Sequence, residues 1–333
     1  MPRFHRSHPH KLPRVMLVLA LASVATQHVR AQELVYPNKP VRMIVSYAAG
    51  NVTDLMARMV ADKLAAKWGH PVTVDNKPGQ GGSVGAQLAA RAPADGYTLL
   101  VSAMAAMVIN PHVYQNVGYD VQKDFIPIIN VASTTSIMVA TPGLAISNFP
   151  QLVAYSKANP TALSYGTAGN GTVPHLNMEL IKQETGLIAQ HVPYKAAATV
   201  LNDVLGGRIQ LQSDSISVLM RQIQAKRVVP IATNNSKRLP QLPDVPTLSE
   251  VVPGLTPVVP WLGIFAPLGT PPAIVSRIAR DVTEILVMPD VKEKFGGVGL
   301  SISAEGSAAF AQTIAKDYVR LGKLARTLNL KVD

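Results

Sequence analysis

The sequence predicts a two-lobed α/β protein, and three observations carry that prediction. From Val41 to Trp68 it reads as an apolar strand, a small-residue loop and an amphipathic helix. A second unit of the same kind lies around Gly169, in the other half of the chain. The first unit continues as β-α-β-α-β, the signature of a parallel sheet. If the chain crosses between lobes near Val131 and returns near Trp261, each lobe points one small-residue loop at the gap. A helix N-terminus in such a loop has free N–H groups and the positive end of the dipole, which suits an anion.

The elements follow in order. Val41-Arg42-Met43-Ile44-Val45 has the length and β-branching of a buried strand, and Met56, Val60, Leu64 and Trp68 recur on one face of the next helix. Gly69-His70-Pro71 stops that helix, and Val72 to Asp75 reads as a second strand. A glycine-rich loop, Asn76 to Gly85, leads to a helix over Ala86–Ala92 and a third strand over Tyr97–Val101. Asn110 to Tyr119 is irregular, Phe125 to Ala132 a strand leaving the unit, and Ile137 to Ala140 another strand. Helices are expected over Phe149–Ala158, His175–Thr185, Ala197–Leu205 and Val218–Gln224. Strands are expected at Leu163–Gly166, Ala189–Tyr194, Ile209–Asp214 and Val228–Thr233. Pro240, Pro243, Pro246, Pro253, Pro257 and Pro260 mark a linker or lid, Trp261 to Ala266 a returning strand, and Ala273–Met288 and Ser307–Leu328 two closing helices.

Composition narrows the class. The 333 residues are 47% hydrophobic and 15% charged, with 26 prolines, enough for a large core and poor for a coiled coil. Arg3, Arg6, Lys11 and Arg14 precede an 11-residue apolar run, Val15 to Ala25, too short to span a bilayer. With Val29 and Ala31 this reads as a cleavable export signal over residues 1–31, Ser23 and Ala25 offering a second cleavage site. No cysteine is present, so the exported chain is held by its core without disulfides. Without the five basic leader residues, 26 basic residues stand against 20 acidic ones, a formal +6 that is spread out, with no basic run for nucleic acid.

The chemistry-bearing patterns point to binding. Amides of Gly50 to Asp54 could each give a carboxylate a charge-assisted bond of about 1.5–3 kcal/mol in a desolvated cleft. Asp54 would repel that carboxylate if it faced it, so it reads as a first-turn residue of its own helix, with an amino-group partner as the alternative. Thr167 to Thr172 is either a plain turn with Thr172 as helix cap or a second ligand wall in which Asn170 and Thr172 add donors. Gly79-x-Gly81-x-x-Val84 misses the dinucleotide fingerprint by one place and reads as a close-packed structural loop. His70, His112, His175 and His191 offer no metal-ligand spacing, and His175 reads as a cap or core residue. No nucleophile motif for catalysis is present, so neither a catalytic residue nor a metal or cofactor is expected.

Several segments together carry a family resemblance. They are Tyr36-Pro37-x-Lys39-Pro40-Val41, Asn76-Lys77-Pro78-Gly79-x-Gly81-Gly82-x-x-Gly85, Asp95-Gly96-Tyr97-Thr98-Leu99-Leu100 and Asn110-Pro111. Tyr119-Asp120, Lys123-Asp124-Phe125 and Tyr165-Gly166-x-Ala168-Gly169-Asn170-Gly171-Thr172 follow, then His191-Val192-Pro193-Tyr194-Lys195, Leu242-Pro243-Asp244-Val245-Pro246-Thr247 and Trp261-x-Gly263-x-Phe265-Ala266-Pro267-x-Gly269-Thr270-Pro271. Singly weak, in this order they resemble the Bug-type (TctC-like) extracytoplasmic solute receptors of tripartite tricarboxylate transporters, over roughly Tyr36 to Asn329.

The resemblance implies a periplasmic-binding-protein fold of the second type, with crossing hinge strands. One lobe would comprise residues 32–133 with 260–333, the other 134–259. It implies a periplasmic, monomeric receptor for a small organic carboxylate: a dicarboxylate, an amino acid or an aromatic acid. Main-chain amides and water would hold the ligand, and permease subunits or a sensor would be the partner. An exported enzyme on the same clamp is the alternative. By position the contacts would be Tyr47, Ala48, Ala49, Gly50, Thr53 and Asp54 in the first lobe, and Thr167, Ala168, Gly169, Asn170, Thr172 and Asp214 in the second. Two departures stand out: the family's first loop usually reads aromatic-Pro-Pro-Gly-Gly, where this chain has Tyr47-Ala48-Ala49-Gly50-Asn51, and Ala196 follows Lys195 in place of glycine.

Overall fold

Eleven strands among the described residues divide between two sheets. The computed structural model describes residues 1–2, 36–194, 197–235 and 237–331, so the leader reading over 1–31 and the Lys195-Ala196 step fall outside it, apart from residues 1–2. The first sheet contains β1 (Val41–Val45), β2 (Val72–Asn76), β3 (Thr98–Ala103), β4 (Phe125–Thr134), β10 (Trp261–Pro267) and β11 (Leu300–Gly306), in the order β11-β4-β10-β3-β1-β2. The second contains β5 (Ser136–Ala140), β6 (Ser164–Thr167), β7 (Gln190–Pro193), β8 (Leu211–Ser215) and β9 (Val229–Thr233), in the order β7-β6-β8-β5-β9.

The chain passes from the first sheet to the second at Thr135 and returns between Thr233 and Trp261. Strand direction then fixes where the loops lie. β1 is parallel to β2 and β3, and β10 is antiparallel to both β3 and β4, so β1, β3 and β4 run the same way. The loop after β1 therefore leaves the edge from which the end of β4 crosses over. In the second sheet β8 is antiparallel to β5 and parallel to β6, so β6 and β8 end at the edge where β5 begins. Both small-residue loops thus emerge at the crossover edge of their own sheet.

The helices cover these sheets as the apolar periodicity requires. The first, α1 (Val52–Trp68), buries Met56, Val60, Leu64 and Trp68. Helix α2 (Ser83–Ala90) sits so close to β1 that a Cβ on Gly85 would lie 2.6 Å from the Ser46 Cα, which gives the glycine-rich loop a packing role. One core joins Ile44, Leu100, Trp261, Phe265 and Phe310; another joins Met138, Tyr165, Met178, Leu211 and Ile231.

Three expectations are corrected. The proline-rich stretch from Leu239 to Pro260 is packed: Val245, Leu248, Val252, Leu255 and Val258 are buried, and Pro246 O accepts from Thr233 N at 3.0 Å. Its prolines break regular hydrogen bonding without excluding apolar burial. Asn110 is buried in a short helix (Asn110–Val113) that continues from a π-turn. The C-terminal part contains, besides its two long helices (Pro272–Leu286 and Ser307–Thr327), a helix over Pro289–Gly297 and the strand β11.

Candidate functional site

The first loop is shaped by Asp54. Its Oδ2 accepts from the Gly50 amide at 2.8 Å and from Arg58 Nε at 3.0 Å, while Oδ1 accepts from Asn76 Nδ2 at 2.8 Å. Asn76 Nδ2 also reaches the Tyr47 carbonyl at 3.0 Å, so one amide staples the loop's entry to its carboxylate. Burial opposes ionisation of Asp54, but the bonds from Arg58, Gly50 and Asn76 outweigh it and hold the carboxyl below its ordinary range. One reading of the sequence changes here: the Gly50 N–H is committed within the protein and is not a free donor, while the Asp54 carboxylate, 1% exposed, staples the loop from the first turn of its helix. Thr53 is buried and its amide is taken by Asn51 Oδ1 at 2.9 Å. Asn51 is thus the N-cap of α1, which gives the departure from glycine a physical purpose.

What remains open in that loop is specific. Asn51 N donates to Ala48 O at 3.2 Å, closing a turn in which Ala49 is the second residue and Gly50, at φ 82°, the third. A positive φ at the third position is the type II turn, which admits glycine there and proline at the second position. The amides of Ala48, Ala49 and Val52 have no protein acceptor among the described residues, and Ala48, Ala49 and Gly50 are exposed. The Tyr47 side chain turns inward over Gly82 beside Ala106, and burial drives its hydroxyl pKa upward. The same Ala106 carbonyl accepts from the Tyr119 hydroxyl.

The second loop is knotted around Thr167. Its Oγ1 lies 3.1 Å from Gly169 O and 2.7 Å from His191 Nε2, and the Gly169 amide donates to it at 3.3 Å. Thr172 precedes helix α5 (Val173–Thr185), but its hydroxyl donates to Gly169 O at 2.9 Å and does not cap. His175, in the first turn, instead ties the helix back to the loop: its Nδ1 accepts from the Gly171 amide at 3.0 Å. The amides of Ala168, Asn170, Thr172 and Val173 have no protein acceptor among the described residues, and the Asn170 side chain is exposed. Gly166 pairs with Gln212, so the register carries Asp214 to the level of Ala168. Asp214 accepts from Ser215 N at 2.7 Å and from Gln212 Nε2 at 3.1 Å; burial raises its carboxyl against those bonds. Asn76, Arg58 and His191 escaped the sequence reading of the site. The available signal was an asparagine closing the second strand and a basic residue one helical turn after Asp54.

Two sheets joined by two crossover segments, each presenting unpartnered amides at its crossover edge, define a two-lobed solute-binding protein. A sequence model for tripartite tricarboxylate transporter family receptors (TctC) matches residues 56–330, and the chain belongs to that family. It is 33% identical, over 93% of each chain, to a protein encoded between tcbD and tcbE in a Pseudomonas species. It is 32% identical to BugT of Bordetella pertussis, over 79% of this chain and 81% of that one. Among solved structures it is similar to the R. palustris protein Rpa4515 with adipate, at 30% identity and TM-score 0.73, covering 89% of this chain and 99% of that one. The periplasmic binding protein BugD gives 30% identity and TM-score 0.69 over the same shares.

Proposed function

We propose that this receptor captures a small organic carboxylate between its two loops, closes by hinge motion of two lobes about Thr135 and the segment 234–260, and delivers the ligand to a permease or sensor from the periplasm. The observation that carries the reading is the set of unpartnered amides of Ala48, Ala49 and Val52, and of Ala168, Asn170, Thr172 and Val173, at the two crossover edges. Asn170 and Thr172 add side-chain groups, Thr167 and Gly169 set the second loop's shape, and Tyr47 and Asp214 wall the pocket. Similar proteins have been solved with adipate and with malate, which makes dicarboxylates the first class to test.

A thermal-shift screen of adipate, malate, amino acids and aromatic acids tests the ligand class. A ligand at a hundred times its Kd stabilises by about 2.7 kcal/mol. Recovery of the acid unaltered separates a receptor from an enzyme, and absence of any shift overturns the carboxylate reading. Ala49→Pro tests the loop: the type II turn accepts proline there, so the only loss is one N–H. Losing a charge-assisted bond of about 1.5–3 kcal/mol weakens binding roughly ten- to a hundredfold with the fold intact. Unchanged affinity removes Ala49 from the site.

A further inference from the structure

Beneath the second loop lies a stack of rings that the ligand reading leaves unused. His175 and His191 face each other with centroids 4.0 Å apart and planes 13° from parallel, and Tyr165 stacks on His191 at 4.8 Å. The stack joins three elements: β6 supplies Tyr165, β7 supplies His191, and α5 supplies His175. Each imidazole holds one end of the loop. An amide can only donate, so the Gly171 N–H bond requires a lone pair on His175 Nδ1 and places that ring's proton on Nε2. The Thr167 hydroxyl has one proton. If it donates to Gly169 O, its contact with His191 at 2.7 Å requires Nε2–H on that ring as well.

We propose that His175 and His191 are the positioning residues that hold residues 167–172 in their donor-presenting shape, and that protonating His175 releases the loop. For its effect on affinity, the inference rests on the second loop being a ligand wall. Protonation of His175 Nδ1 turns an acceptor into a donor facing the Gly171 N–H. A second positive charge 4.0 Å away is opposed by the first, so the two protons bind in separate steps. The other titratable groups facing the pair are Glu179, Lys182 and the Tyr165 hydroxyl. Glu179 Oε1 accepts from Lys182 Nζ at 2.7 Å and from Tyr165 Oη at 2.6 Å, so its charge is already matched. Burial depresses both imidazoles, His191 to about 4, with the neighbouring His175 as the second cause for His191.

Nitrogen-15 NMR of the purified protein from pH 8 to pH 4 tests this without any ligand. Both imidazoles are expected as Nε2–H tautomers at neutral pH, with the Gly171 amide resonance moving on the same step as His175 protonation. His175→Asn keeps an oxygen acceptor for Gly171 but cannot be protonated, so the Gly171 step disappears. In His191→Gln, where no second imidazole faces the ring, the Gly171 resonance still moves with the His175 step, which covers a failure of the first variant to fold. A Gly171 resonance that stays flat through the imidazole step, or an Nδ1–H tautomer at His175, overturns the inference. A second arm follows adipate, or whichever screened acid binds. One pH unit below the step only about a tenth of the loop is competent, so Kd rises about tenfold in the native chain, and in His175→Asn it follows the acid's own titration alone. If the NMR step is present and affinity ignores it, the ligand-wall reading fails while the positioning role stands.

Discussion

Replacing Asp54 by alanine separates loop shape from helix capping. The substitution removes an acceptor from the Gly50 amide, from Asn76 Nδ2 and from Arg58, at 2.8, 2.8 and 3.0 Å. Bonds to a charged acceptor contribute about 1.5–3 kcal/mol each when desolvated. Two features lower the sum. Gly50 is exposed, and Arg58 is 48% exposed on its side chain, so both regain water when the carboxylate goes. Asn76, half-buried, keeps its bond to the Tyr47 carbonyl. The expected loss is about 2–3 kcal/mol, or roughly 5 °C in melting temperature for a chain of this size. The sign with pH follows from the depressed carboxyl: the unfolded chain takes up this proton first as pH falls. The contribution is therefore complete above the ordinary carboxylate range and vanishes as pH drops through the lower folded value. Urea midpoints of Asp54→Ala and the native chain should differ at pH 7 and converge in acid. Equal midpoints at pH 7 would refute the staple, and a constant gap down to acid pH would refute its electrostatic origin.

Two further substitutions probe the frame that holds the loops. Gly85→Ala places a methyl 2.6 Å from the Ser46 Cα and 2.9 Å from the Lys77 carbonyl, both backbone; the clash outweighs the roughly 1 kcal/mol gain in helix propensity, and calorimetry should show a net loss of about 1–3 kcal/mol together with weaker ligand binding. Asn177→Leu removes the side chain whose Oδ1 and Nδ2 clasp the Val258 backbone at 2.7 and 2.8 Å; a buried N–H left unpaired costs about 1–3 kcal/mol, read as a lower urea midpoint.

The strands and long helices were legible because burial imposes a period. Val41 to Val45 and the stripe Met56, Val60, Leu64 and Trp68 were readable without any partner in view. The strand Leu300–Gly306 was not, because its alternation is broken where Ile302 pairs with Ala132 but Glu305 pairs with Asn130, an irregularity set by the neighbouring strand. The packed stretch between Leu239 and Pro260 was missed for a related reason: its prolines are read as local punctuation, while the burial of Val245 and Leu255 is decided by residues far along the chain. In the site, the loops were visible as clusters of small residues, but not which amides were free. That depends on side chains arriving from elsewhere: Asn76 from the end of the second strand, His175 from the helix after the loop, and His191 from β7.

Those arriving side chains also bear on how the proposed anion site tolerates acidic residues at its edge. Asp54 has both oxygens occupied and Arg58 beside it, so its charge is balanced at the loop. Asp214 is partly buried, burial raises its carboxyl, and Ser215 N and Gln212 Nε2 donate to its oxygens. Both carboxylates thus have their oxygens bonded by other groups of the protein. The proposed ligand then meets main-chain dipoles, a type of donor that favours a carboxylate without demanding a fixed cation opposite it. Amides at fixed positions discriminate by geometry, so if the two loops hold the ligand as proposed, the spacing between the Ala48–Val52 donors and the Ala168–Val173 donors at closure would set the ligand's length. On the same proposal, Ala48 and Ala49, standing where the resemblance leads one to expect prolines, supply two N–H groups at one end of that measure, which would favour an acid with more acceptor atoms there.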